Sequence, residues 1–285
     1  MNVNTSIAKD VLEEYYVGQK TSAHKIAKLL NLKPHQVYYL LEKNGISRRP
    51  LTQMDTTFSV NHDYFSTIDS AEKAYWLGFL YADGFVSNRH QIGLSLAKQD
   101  ILHVEKFKKS VQSSHPIHIY KEGGYGKGEY AKIIFSSEKM AEDLKRLGCV
   151  QRKSLVLEFP SNEQVPPEYL RDFVRGYIDG DGSITTGGRW HPIRLKVCGT
   201  KAFLSALLDY FNEIVKPESF SVSLEKRRQD DKDNYSITVG STKRVLTILD
   251  MLYENSDIYL ERKYALYIEK KNALQLSSLS EMVGV

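Results

Sequence analysis

Only two cysteines and two tryptophans occur in these 285 residues. Cys149 and Cys198 sit in apolar or strand-like stretches, and neither has a His or Cys partner at zinc-ligand spacing. That leaves no disulfide framework and no structural zinc motif, and both read as buried thiols. They suit an intracellular, reducing compartment: the cytoplasm or nucleoid of a bacterial or phage-infected cell, or an organelle. No apolar run approaches the ~20 residues of a membrane span, and no signal-like apolar stretch opens the chain, so no membrane partner is expected. Charge of one sign is also scarce. Lys and Arg number 39 against 35 Asp and Glu, a net +4. Residues 1–50 hold eight of those bases and four of the acids, so they carry the whole excess. Any anion-binding surface further along must come from arranging charge on one face rather than from bulk basicity.

What the chain does have is a repeated phrase. Trp76-Leu77-Gly78-Phe79-Leu80-Tyr81-Ala82-Asp83-Gly84 and Val174-Arg175-Gly176-Tyr177-Ile178-Asp179-Gly180-Asp181-Gly182 are both apolar helical stretches ending on Asp-Gly. Asp83 and Asp181 lie 98 residues apart, the spacing of a half-domain used twice. Gly78 and Ala82 share one helical face, as do Gly176 and Gly180. Two helices with such faces can approach until their backbones nearly touch, bringing both aspartates to one end of the pair. Two carboxylates at helix C-termini repel each other and the helix dipoles. A divalent cation removes that conflict, and carboxylates with water are natural Mg²⁺ ligands. The plain alternative is that both aspartates end turns, with Gly84 and Gly182 supplying positive φ. No histidine sits beside either aspartate, which argues against a histidine-base nuclease.

The two segments resemble the motifs of the LAGLIDADG homing endonuclease family, double-motif type. Phe173 to Ile184 is similar to a second motif, and Leu147-Gly148-Cys149-Val150-Gln151-Arg152-Lys153-Ser154 to the end of a first repeat; the resemblance covers about residues 70–275. It implies a monomeric, Mg²⁺-dependent endonuclease that cuts long, nearly asymmetric double-stranded DNA sites and leaves short 3′ overhangs; Mn²⁺ or Ca²⁺ could occupy the same sites. The metal-binding role falls on Asp83 and Asp181. Tyr81 departs from the motif where the second copy has Asp179, but that position is not the metal-binding one. The family also places basic residues around its metals, and Lys153 and Lys263 match by position, each shortly after a closing helix. A lysine there could orient water or stabilise phosphate charge; a surface salt bridge is the alternative. Related proteins include catalytically silent DNA-binding regulators and RNA-splicing maturases, and both remain open.

The pattern predicts an α+β fold: two pseudo-symmetric αββαββα halves, 69–162 and 163–285, with saddle-shaped antiparallel sheets. Predicted strands lie near 91–97, 116–120, 130–135, 193–197, 220–224 and 235–239. One face of each sheet should be apolar and covered by helices, the other polar. On the polar face of the second sheet Arg194 and Lys196 project together. Arg189 and His191 precede them, and Lys226, Arg227 and Arg228 follow in the next hairpin. The first sheet offers Gln91, Ser95, Lys98 and Lys132. Lysine and arginine there could pair with guanine edges in the major groove, or simply face solvent.

Residues 1–49 read as a small all-α helix-turn-helix unit, with Ser22 as an N-cap, Pro34 opening a third helix and Gly45 closing it. His35, Gln36, Tyr38, Tyr39 and Lys43 are its candidate groove-facing residues. Arg48 and Arg49 are candidate phosphate contacts, and a plain three-helix packing module is the alternative. Residues 50–68, polar and aperiodic, are predicted to form an extended linker. Asp69 with Glu72 predicts a capping box that starts the first motif helix near Ser70.

Overall fold

The structure is a computed structural model describing residues 9–19, 21–48, 58–121, 128–150, 156–186, 193–215, 225–226 and 235–283. It divides into two compact units, residues 1–59 and 60–285.

In the first unit, α1 (Lys9–Leu12) runs into a π-helical turn that ends at Gly18, followed by α2 (Ala23–Leu29) and α3 (Pro34–Lys43). The Ser22 side chain accepts from the Lys25 N–H at 3.3 Å and caps α2. Gly45 ends α3 at φ +70°, where a side chain would be strained. Leu12, Tyr16, Ile26, Val37, Leu40 and Leu41 form its own small core.

The second unit contains the repeat. Its first half runs α4 (Ala71–Ala82), β1 (Gly84–Val86), β2 (Gln91–Ala97), α5 (Ile101–Ser110), β3 (His118–Lys121), β4 (Glu129–Ser136) and α6 (Glu138–Arg146). The second half runs α7 (Pro167–Asp181), β5 (Gly182–Thr185), β6 (Arg194–Gly199), α8 (Lys201–Ile214), β7 (Glu225–Lys226), β8 (Tyr235–Val239) and α9 (Thr242–Tyr253). A long helix, α10 (Glu261–Val283), follows; the sequence reading did not foresee it. Each half builds a four-stranded antiparallel sheet, in the orders β1-β2-β4-β3 and β5-β6-β8-β7. Alternation decides the faces: Ile92, Leu94 and Leu96 of β2 and Leu195 and Val197 of β6 point into one shared core, together with Trp76, Phe107, Phe203 and Phe211.

Three expectations need correcting. The linker predicted over 50–68 is not extended beyond Val60. Tyr64, Phe65 and Ile68 are buried in the main core, and Arg146 donates to the Ser66 carbonyl at 2.8 Å. Three apolar side chains spaced for no regular element still gain more from burial than from hydration. Asp69 and Glu72 form no capping box. Ser70 caps α4 by accepting from the Lys73 N–H, Glu72 accepts from the Tyr64 hydroxyl at 2.7 Å, and Asp69 pairs with Lys73. Cys149 is buried, but Cys198 is only half-buried, because its position in β6 faces outward with Lys196. In the sheets, β3 begins two residues later than predicted, and the strand predicted over 220–224 lies outside the described residues.

Candidate metal and nucleic-acid site

The site is built by the contact between α4 and α7. A Cβ placed on Gly78 would fall 2.0 Å from the Phe173 carbonyl oxygen, and one placed on Gly176 would fall 2.0 Å from that of Tyr75. Gly78 and Gly176 stand 98 positions apart, as do Tyr75 and Phe173, so the two clashes are pseudo-twofold copies of each other. One helical turn further on, a Cβ on Gly180 would overlap that of Ala82 at 2.2 Å and stand 3.5 Å from Asp83 Oδ2. The four small residues therefore lie in the contact, and the Asp83 carboxylate leans towards the end of α7, one residue short of Asp181.

Asp83 follows α4 as its C-cap and Asp181 is the last residue of α7; both are exposed. Neither following glycine works through positive φ. Gly182 has φ −78° and ψ 150°. Gly84 and Gly182 are instead places of close approach: a Cβ would meet the Leu80 carbonyl at 2.8 Å and the Ile178 carbonyl at 2.4 Å. The chain turns directly from each aspartate into the first strand of a sheet.

Lys263 enters from the second half, 4% exposed. Its ammonium donates to the carbonyls of Ile178 at 2.9 Å, Asp179 at 2.5 Å and Gly180 at 2.9 Å, and also to that of Gly182. Of these, the carbonyls of Asp179 and Gly180 belong to the last turn of α7, where intrahelical donors run out. Burial pulls the lysine pKa down to about 8, while Asp179, Asp83 and Asp181 act in the opposite sense. The expected matching position, Lys153, lies outside the described residues.

Beneath this surface is a polar network that the sequence reading missed. Asp179 is fully buried and accepts from the hydroxyls of Tyr75 at 2.7 Å and Tyr253 at 2.6 Å and from the Leu260 N–H at 2.8 Å. Burial raises its pKa, and those donors oppose the rise. The Tyr75 hydroxyl has one proton, which goes to Asp179, so its oxygen accepts from His103 Nε2–H at 3.0 Å. His103 is fully buried, its Nδ1 has no hydrogen-bond partner, and burial with nearby Lys106 pulls its pKa down to about 3. Arg175 donates to Asp172 at 2.6 Å and to the carbonyls of Leu252 and Ile258, both at 3.0 Å. The sequence signal for it was that the second motif carries Arg175 and Asp179 where the first has Leu77 and Tyr81.

The candidate DNA-binding residues divide by half. In the second sheet Arg194 and Lys196 share the outward face with Ser183 and Thr185 of β5, in the register Ser183↔Lys196 and Thr185↔Arg194. Arg189, His191, Arg227 and Arg228, and the side chain of Lys226, lie outside the described residues. In the first sheet Gln91, Ser95 and Lys132 are on the outward face. Lys98 lies in the turn after β2 and pairs with Glu129 at 2.7 Å. The outward face also carries aromatics that the reading missed, because only the β3–β4 register, His118↔Lys132 and Tyr120↔Tyr130, puts them there. In the N-terminal unit His35, Tyr39 and Lys43 are exposed on α3. Gln36 caps its own helix, accepting from the Lys33 N–H at 2.8 Å. Tyr38 packs against the small core, with the Arg48 guanidinium 5.0 Å from its ring centre. Arg49 lies outside the described residues.

No protein-family model matches the sequence, and no curated protein matches it. Solved structures do match. The meganuclease I-SmaMI, bound to uncleavable DNA, is 13% identical with TM-score 0.43, covering 70% of this chain and 88% of its own. The I-LtrWI LAGLIDADG homing endonuclease, bound to target DNA, is 12% identical with TM-score 0.44, covering 77% of this chain and 92% of its own. The N-terminal LAGLIDADG domain of WhiA is 16% identical with TM-score 0.39, covering 77% of this chain and 98% of its own. The chain is thus similar to LAGLIDADG homing endonucleases and to the LAGLIDADG domain of WhiA.

Proposed function

We propose that the chain is a site-specific endonuclease of double-stranded DNA that acts as a monomer with Mg²⁺. The observation that carries this reading is the α4–α7 contact, which presents two exposed carboxylates of one chain at neighbouring helix ends. Each is followed at once by a sheet whose outward face carries basic side chains, Lys132 in the first and Arg194 and Lys196 in the second.

The donor set fits a hard cation. Among the described residues no group of three or more His, Cys, Asp or Glu side chains could hold a metal. Two carboxylates, with water and substrate phosphate completing the shell, are what Mg²⁺ commonly takes from a protein. Bound there, a divalent cation would polarise the scissile phosphate and supply hydroxide near neutral pH. Asp83 and Asp181 would hold it. Water attacks phosphorus, the bond to the 3′ oxygen breaks, and cuts on both strands leave short 3′ overhangs. The protein keeps both carboxylates still: the glycine contacts fix α4 against α7, and Lys263 fixes the end of α7.

A second reading, a DNA-binding regulator that does not cut, is favoured by the same lysine, whose N–H groups are already engaged by backbone carbonyls. Both readings are tested together by selecting bound duplexes from genomic fragments, adding Mg²⁺ and mapping ends. Paired cuts that vanish in Asp83→Asn and Asp181→Asn, with affinity retained, support the endonuclease. Tight specific binding with no cut ends supports the regulator. If both variants lose binding together with cutting, the aspartates are structural.

A further inference from the structure

The two outward sheet faces differ in chemistry, and the difference predicts the target. On the first sheet, Phe85 stands opposite Gly93, which stands opposite Ile134. Because Gly93 has no side chain, the Phe85 ring lies across it; a Cβ there would come 2.3 Å from the ring. The next row holds Ser95, Lys132 and His118, with the lysine ammonium drawn over the Phe85 ring at 4.9 Å. Beyond it Tyr120 and Tyr130 stack at 5.7 Å, and Tyr120 shares a hydrogen bond of 2.9 Å with Ser95. This face is aromatic and aliphatic around a single central lysine. The outward face of the second sheet has no aromatic side chain in β5 or β6 and carries Arg194 and Lys196 among hydroxyl groups.

Apolar side chains in a major groove contact the thymine 5-methyl group, and Arg and Lys pair with guanine N7 and O6. Resting on the duplex-binding reading above, we infer that the protein takes an asymmetric site. One flank is read through thymine methyls by Phe85, Ile134 and Tyr120, and the other through guanines by Arg194 and Lys196. Successive outward side chains on a strand are about 6.8 Å apart and base pairs about 3.4 Å, so those guanines fall about two base pairs apart. Lys132 at the centre of the aromatic face gives it positive charge to sit against phosphates, which suits nucleic acid over an apolar protein partner.

The test is selection by the full chain from a random duplex library in Ca²⁺, followed by replacement of thymine by deoxyuridine one flank at a time. A thymine-rich flank and a flank with two guanines are expected. Uracil in the first flank weakens binding roughly 5-fold or more, and the loss disappears in Phe85→Ala/Ile134→Ser; uracil in the second has no effect. Arg194→Ala relaxes one guanine by about 10-fold and leaves the thymine flank unchanged. Methyl-insensitive binding, or a guanine preference untouched by Arg194→Ala, overturns the inference while duplex binding stands. A parallel selection from random single-stranded RNA that enriches where the duplex library does not, with binding lost in Phe85→Ala, overturns it together with the function proposed above.

Discussion

At three matching positions the two motif helices chose opposite chemistry. The first carries Ala74, Leu77 and Tyr81; the second carries Asp172, Arg175 and Asp179, and all six are buried. Members of each triplet bond to the end of their half's closing helix or to the segment after it. In the first half the Tyr81 hydroxyl donates to the Leu147 carbonyl there. In the second, Arg175 donates to the carbonyls of Leu252 and Ile258 and Asp179 accepts from the Leu260 N–H, so the passage into α10 is held at three points. Buried ionic groups seldom add stability over well-packed apolar ones, because desolvation consumes the gain. What the charged triplet adds is direction. It sets the start of α10, and Lys263, two residues beyond Glu261, is thereby delivered to the end of α7.

The shared part of the comparison breaks hardest. Gly78→Val or Gly176→Val should each cost roughly 4 kcal/mol or more, since backbone carbonyls cannot yield as side chains can, and the two should be equal within about 1 kcal/mol. Thermal melting of both variants checks the symmetry. A mild loss in either would mean that the helix contact is looser on that side.

The unshared part comes next. Asp179→Ala should cost about 3 kcal/mol, because it strands Tyr75, Tyr253 and the Leu260 N–H without an acceptor. Tyr81→Phe should cost about 1 kcal/mol in the same urea titration. Similar costs would show that the polar network has no special weight.

The buried histidine, bonded through Tyr75 to Asp179, gives a pH signature between these two effects. Its folded pKa, about 3, lies below the unfolded value of about 6.5, so the unfolded chain binds the extra proton between them. Stability therefore rises with pH through that window and falls as pH drops below about 6.5. From pH 7 to pH 5 the loss from this group is about 2 kcal/mol. In His103→Phe that part of the pH slope should vanish; an unchanged slope would assign it to other groups.

The smallest effect on stability should come from deleting residues 1–59, which have their own core. Unit 60–285 should melt at nearly the same temperature. Its affinity for DNA should fall and depend less steeply on salt, because the deleted piece carries +3 of the net +4 charge. An unchanged salt slope would mean that the N-terminal unit faces another partner.

The repeat, the order of strands and helices, and the meeting of Asp83 with the end of α7 were legible in the sequence, because small residues at fixed helical spacing leave few ways to pack. The linker was misread at Tyr64, Phe65 and Ile68, since irregular chain has no period to announce burial. The catalytic expectation for Lys263 rested on its position alone, and its carbonyl partners come from a helix more than eighty residues away.

By itself, then, the sequence determined two like halves and an aspartate at the end of each motif helix: local periodicity and glycine placement are properties of neighbours along the chain. Only the tertiary structure decided that Asp179 is buried among tyrosines, that Lys263 caps a distant helix, and that Phe85 and Tyr120 share a face with Lys132. Each of these depends on strand register or on contacts between segments far apart in sequence, and no local pattern encodes which distant partner will satisfy a buried charge.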